Sequence, residues 1–192
     1  IGIQNGGGIR NNNLIAAGPI SELNTFDMLP FSNFVTIVED ITPDRFKEMM
    51  ENSVSRITGN GPSGGGTGRF AQIAGFSVVM DSAATALSYD VNGNIVQAGS
   101  RIIEIQLDNG TYIVQNGQVI QGAPNVNLAV ADFTAKGGDQ YPIGDLNRTL
   151  VGATYQQALF NYITAADGLN GLIDSTQYPE GGSGRIGYGT AN

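Results

Sequence analysis

The residues best equipped for chemistry sit in glycine-rich stretches. Gln4-Asn5-Gly6-Gly7-Gly8-Ile9-Arg10 joins an amide, three glycines and an arginine. Without Cβ atoms the glycines can take positive φ and bring backbone N–H groups close to a ligand. Arg10 adds a planar fork of donors suited to a phosphate or carboxylate. The same residues would also serve as a tight turn after a strand, with a solvated arginine. Two further places share the arrangement. Leu29-Pro30-Phe31-Ser32-Asn33 sets an aromatic just past a helix stop, and Phe133-Thr-Ala-Lys-Gly137-Gly138-Asp139 sets one at the mouth of a glycine turn. Either phenylalanine alone reads as core. Together with the first stretch they form a pattern of loop-borne polar and aromatic side chains, the usual way a rigid scaffold assembles a site.

Two other stretches imitate known motifs and fail on detail. Gly59 to Gly68 is glycine-rich like a phosphate loop, but no Lys-Ser or Lys-Thr follows it, and it reads as a mobile loop. Asp90-Val-Asn92-Gly-Asn94 has its glycine at the fourth position of a calcium loop instead of the sixth. Arg101 stands where the bidentate glutamate belongs, so this is a hairpin turn.

Composition narrows the chemistry further. The 192 residues suffice for one sizeable core, and a net charge of −8 leaves no basic stripe to neutralise nucleic-acid phosphates. Cysteine is absent, which removes disulfides, thiolate metal sites and a cysteine nucleophile. Histidine is absent too, so Ser–His catalysis, a HExxH zinc site or a His-bearing dinuclear centre cannot be built from this chain alone. No apolar run is long enough to span a membrane. The chain opens inside a strand signal and without Met, which reads as a piece excised from a longer protein.

The elements that must position the loops follow from periodicity and punctuation. A helix is expected from Ser21 to Leu29 with Leu23, Phe26 and Leu29 on one face, stopped by Pro30. A β-branched strand follows over Phe34 to Glu39. Thr42-Pro43-Asp44 starts a helix running to about Ile57 that buries Phe46, Met49, Met50, Val54 and Ile57. Strands are expected at Phe70 to Met80, Arg101 to Leu107, Thr111 to Val114 and Val126 to Phe133. Asn92-Gly93, Asn109-Gly110 and Asn116-Gly117 supply hairpin turns. Ser82 to Ser100 reads as a surface excursion. A last helix over Thr154 to Ala166 places Tyr155, Ala158, Leu159, Tyr162 and Ile163 on one face. A loop-rich tail over 168–192 ends in the short apolar piece Arg185 to Tyr188. The fold class is mixed α+β.

Five motifs in order carry a resemblance: QNGGGIR, Ala17 to Ile20 (AGPI), Leu29 to Asn33 (LPF-x-N), Gly68 to Gly75 (GRFAQIAG) and Asp132 to Pro142 (DFTAKGGDQYP). Over about residues 1–143 the chain resembles the C-terminal domain of the 5'-nucleotidase and UDP-sugar hydrolase family. The likeness fades through the last helix and returns at Gly184 to Tyr188. It implies a layered α/β/β/α domain over residues 1–192 that recognises substrate. Hydrolysis would belong to an N-terminal metallophosphoesterase domain of the same polypeptide, holding two divalent metal ions such as Zn or Mn. On that reading this chain is inactive by itself, and the missing histidines lie on the other half. The resemblance also implies an extracellular or periplasmic enzyme.

Carried over residue by residue, the resemblance makes Phe31 and Phe133 the two faces of a base sandwich. Asn33 and Asn5 would hydrogen-bond the base edge or nearby ribose atoms, and Asp139 the ribose hydroxyls. Arg10 would point to ribose or phosphate. The backbones of Gly7, Gly8 and Gly68 would line the pocket. Ser32 and Gln140 stand where the family usually has glycine, adding bulk near the pocket. Further arginines found upstream in the family are not in this chain. The alternatives are a freestanding nucleoside-binding or surface module, or the same enzyme class acting on UDP-sugars, cyclic nucleotides or a sulfur conjugate.

Overall fold

The structure is a computed structural model that describes residues 1–11, 13–58, 67–179 and 181–190. In chain order the elements are β1 (Gly2–Asn5), α1 (Glu22–Met28), β2 (Phe34–Ile41), α2 (Pro43–Val54), β3 (Ala71–Ala74), β4 (Phe76–Met80), β5 (Ser88–Tyr89) and β6 (Ile95–Gln97). Then come β7 (Ile102–Leu107), β8 (Tyr112–Gln115), β9 (Gln118–Val119), β10 (Val126–Ala131), α3 (Asp132–Ala135), β11 (Arg148–Thr154), α4 (Tyr155–Thr164) and β12 (Ile186–Tyr188). Mixed α+β is the class.

Two sheets carry the fold. The first has the order β11-β2-β10-β1-β3, the second β12-β4-β7-β8-β9, and β5 pairs with β6 in a small hairpin. In the first sheet β1 runs parallel to β10, while β3 and β2 are antiparallel to them. That topology decides where the loops go. The C-terminal ends of β1 and β10 and the N-terminal ends of β2 and β3 all meet at one edge, with Asn5 opposite Ala71 and Ala131 opposite Val35. All three stretches singled out by their chemistry, together with Gly68, are therefore delivered to the same end of the sheet.

Helix α2 forms where expected, with Thr42 Oγ1 accepting from the Arg45 N–H and Pro43 in the first turn. It touches β3 of one sheet and β7, β8 and β9 of the other. Phe46, Met49, Met50, Val54 and Ile57 are all buried, as their spacing predicts, and Phe46 meets Phe76 edge-on at 5.0 Å. Arg101 donates to the carbonyls of Val54, the last residue of α2, and of Ile57 just beyond it. Buried Glu51 in turn accepts from the backbone N–H groups of Arg101 and Ile102.

Several expectations need correction. The expected strand from Phe70 to Met80 is two strands in different sheets. Gly75 between them has φ +84°, and a Cβ there would lie 3.1 Å from Ile1 Cα, so the chain turns from one sheet to the other at a residue that must be glycine. The strand expected to reach Phe133 ends at Ala131, and Phe133 sits on the single turn of α3. Ser82 to Ser100 is more than an excursion, since it holds the β5–β6 hairpin and buries Leu87. In α1 the expected apolar face is only partly buried: Leu29 at its end is buried, but Leu23 and Phe26 are exposed and Thr25 is the buried residue within the helix. Ala158 and Tyr162 of α4 are likewise exposed, whereas Tyr155 and Ile163 are buried. Strand β11 has no counterpart among the expected elements; its residues are mostly exposed at a sheet edge, so no alternation marks it.

The three Asn-Gly turns do join β5 to β6, β7 to β8 and β8 to β9. At the first, Asp90 accepts from Asn92 and Asn94, and the Asn94 side chain leads in holding its carboxyl below the usual range. The apolar tail piece becomes β12, parallel to β4, and Arg185 pairs with Asp108 at 2.6 Å. Most of the glycine-rich loop, residues 59–66, lies outside the described residues.

Candidate functional site

At the common edge of the first sheet, Asn5, Gly7, Gly8, Arg10, Phe31, Asn33, Gly68, Phe133 and Asp139 line one cavity of about 430 Å³. These are the residues that the resemblance singled out, drawn from four separate chain segments. Ser32 and Gln140, expected to add bulk, do not line it.

The Gly6–Gly8 stretch forms a single 3-10 turn, and none of its glycines has positive φ. What they supply is room. A Cβ on Gly7 would lie 3.3 Å from the Gly68 backbone, and one on Gly8 would collide with the Gln4 amide. Close approach of the Gly68 backbone at Gly7, and of the Gln4 and Asn5 side chains at Gly8, rather than a left-handed conformation, is what glycine accommodates here.

Asp139 comes from the opposite side and sits in the left-handed region at φ 55°, followed by Gln140 at φ 61°. Such backbone costs a non-glycine residue about 1 kcal/mol or more, so something must hold it. Buried Arg69 does, donating to Gln140 Oε1 at 2.7 Å and to Asn52 Oδ1 at 2.8 Å, while Asn52 Nδ2 reaches the Asp139 carbonyl at 3.1 Å. Burial, and then Arg56, lower the Arg69 pKa, with Asp139 among the groups working the other way. The Gln140 side chain is thus spent on Arg69 and turned away from the cavity. Arg69 and Asn52 are missed by sequence reasoning because neither stands near Asp139 in the chain.

The polar groups divide into engaged and open ones. Asn5 is buried, and its Nδ2 donates to Asp139 Oδ2 at 2.7 Å while its Oδ1 accepts from Gln4 Nε2 at 3.0 Å. It orients the carboxylate and has little left for a ligand. Asp139 Oδ1, the Asn33 side-chain amide and the Arg10 guanidinium have no hydrogen-bond partner among the described residues. Arg10 instead lies over the Phe31 ring, 5.1 Å from its centroid. In a chain of net charge −8, an arginine lining the cavity with no ion pair among the described residues is an available hydrogen-bond donor for an anion.

The aromatic rings at the cavity are nearly half exposed, 43% for Phe31 and 45% for Phe133. Gly138 makes room for the second: a Cβ there would lie 2.5 Å from the Phe133 ring. Replacing Gly138 with Ala is expected to push the ring aside with the fold retained. The NMR shifts of the Phe133 ring protons, alongside the thermal midpoint of the variant, check this.

A larger cavity of about 690 Å³ lies between α1, α4 and the first sheet, lined by Ile3, Leu29, Val130, Leu159 and other apolar residues. It lacks the charged groups that would orient a nucleotide. Among the described residues no cluster of three or more His, Cys, Asp or Glu could hold a metal ion, and no helix is long and apolar enough to cross a membrane.

The family description "5'-nucleotidase, C-terminal domain" matches residues 1–145. The chain belongs to that family. Among solved structures, a 5'-nucleotidase precursor from Thermus thermophilus is similar, with 23% identity and a TM-score of 0.70 over 97% of this chain and 31% of that one. The NAD nucleotidase NadN of Haemophilus influenzae is similar at 15% identity and a TM-score of 0.65, over 98% of this chain and 30% of that one. At such identities the likeness establishes a shared fold, and the chain spans about a third of the length of these relatives. No curated protein sequence matches the chain.

Proposed function

We propose that residues 1–192 form the substrate-recognition domain of a metal-dependent 5'-nucleotidase-like hydrolase, with Phe31 and Phe133 stacking on the base. Asp139, oriented by Asn5, accepts from the ribose hydroxyls. The Asn33 amide reads the base edge, and Arg10 reaches ribose or phosphate, leaving the Phe31 face as a base takes that place. Gly7, Gly8 and Gly68 present backbone close to the ligand. The observation that carries this reading is the convergence on one cavity of two half-exposed aromatic rings, an open carboxylate oxygen and an arginine without an ion pair among the described residues. Rings grip any base, the carboxylate rewards a sugar, and the cation rewards a phosphate.

The chemistry would lie elsewhere in the parent enzyme. A metallophosphoesterase domain N-terminal to this one would hold two divalent ions, such as Zn or Mn, which activate water and stabilise charge on the phosphoryl group. By itself this chain would bind and not hydrolyse. Family membership, the absence of histidine and the span of the chain within its relatives support that division. Export to the periplasm or the cell exterior is the location that fits such an enzyme; the Thermus relative is described as a precursor.

The test is a comparison of AMP with p-nitrophenyl phosphate as substrates of the parent protein with Mn²⁺, with and without Phe31→Ala. The reading predicts that the variant loses kcat/KM for AMP and keeps it for the substrate without a base. Equal losses on both would count against a base-binding role.

A further inference from the structure

Tyr155 joins the two loops on which the proposed nucleoside site is built, although it lies outside the ring of lining residues. Strand β11 pairs with β2 up to Thr154 opposite Phe34, so the next residue emerges at the site edge of the sheet. From there Tyr155 makes hydrogen bonds to the backbones of three lining residues. Its own N–H donates to the Asn33 carbonyl at 3.0 Å. Its hydroxyl accepts from the Phe31 N–H at 3.1 Å and donates to the Gly8 carbonyl at 3.2 Å. The side chain is 5% exposed, and its pKa is raised, chiefly by burial, so at neutral pH it is a phenol that can donate and accept at once.

The sheet does not provide this link. β1, which carries the glycine turn, and β2, which follows the Phe31 loop, are not neighbours, because β10 runs between them. No ladder hydrogen bond can set the distance between Phe31 and the Gly8–Arg10 segment. Among the described residues, the polar contacts that set that distance besides the Tyr155 hydroxyl are the Arg10 N–H reaching the Met28 carbonyl at 2.9 Å and Arg10 stacking over Phe31. The stacking contact is the one a bound base would displace.

We infer that Tyr155 is a positioning residue for nucleoside recognition, its hydroxyl holding the Phe31 loop and the glycine turn at the spacing that accepts a base. This rests on the nucleoside reading above and names a residue which that reading does not contain. The ring also forms part of the wall of the larger apolar cavity, so its aromatic body is packing and its hydroxyl is the specific part.

The test compares Tyr155→Phe with Gln156→Ala. Gln156 is the adjacent buried residue, whose Nε2 donates to Thr25 Oγ1 at 2.7 Å and ties α4 to α1 without touching the site. Adenosine affinity of the 192-residue chain is measured by calorimetry well below each variant's thermal midpoint, and amide exchange at Phe31 is followed by NMR. Tyr155→Phe is expected to lose about tenfold in affinity and to speed exchange at the Phe31 N–H, which loses its acceptor. Gln156→Ala is expected to lower the midpoint while binding within about twofold of the parent. Parental affinity in Tyr155→Phe, or an equal loss in Gln156→Ala, would overturn the positioning role and leave the nucleoside reading standing. A parent chain that does not bind adenosine would overturn both.

Discussion

Removing the Phe133 ring is expected to cost this chain about tenfold to a hundredfold in adenosine affinity, the range that a stacked base contributes. The ring is 45% exposed, so Phe133→Ala leaves no core void and should barely move the thermal midpoint. That separation is diagnostic. A buried phenylalanine would give the opposite result, with a stability loss of about 3–5 kcal/mol. Calorimetric titration with adenosine and a thermal melt on the same sample measure both quantities.

The second large effect belongs to the sugar. Asp139→Asn keeps the shape of the side chain and an oxygen for the Asn5 amide, but removes the charge offered to ribose hydroxyls. Charge-assisted hydrogen bonds contribute about 1.5–3 kcal/mol, so adenosine affinity should fall about tenfold or more. Free adenine, which has no ribose, should bind parent and variant alike. An equal loss for adenine and adenosine would mean that Asp139 shapes the cavity instead of reading the sugar.

What is legible in the sequence follows from how local each cause is. Helix α2 is legible because its cap, its Pro and its apolar spacing all lie within the helix. The lining residues are legible only through five motifs taken in order, since each phenylalanine alone reads as core. Causes acting across the chain stay hidden. Gly75 is needed between two strands because its φ of +84° and the nearness of Ile1 leave no place for a Cβ, and Gly7 and Gly8 keep clear of Gly68 and Gln4 rather than taking positive φ. Gln140 reads as an intrusion into the pocket until Arg69, far away in sequence, is seen to hold it. Tyr155 reads as one apolar position on a helix face, and its hydroxyl has meaning only beside Gly8 and Phe31. The periodicity argument holds for Leu29, Tyr155 and Ile163, which are buried, and fails for Leu23, Phe26, Ala158 and Tyr162, which are exposed; of these last, Ala158 and Tyr162 line the larger cavity.

The central claim is that the cavity at the sheet edge takes a nucleoside between two rings. Titrating adenosine into the 192-residue chain, and into the Phe31→Ala, Phe133→Ala double variant, tests it most directly. The account predicts saturable binding of one adenosine per chain, with ring-current shifts on the Phe31 and Phe133 protons, and loss of binding in the double variant. No saturable binding to the parent, or the same affinity in the double variant, would contradict it.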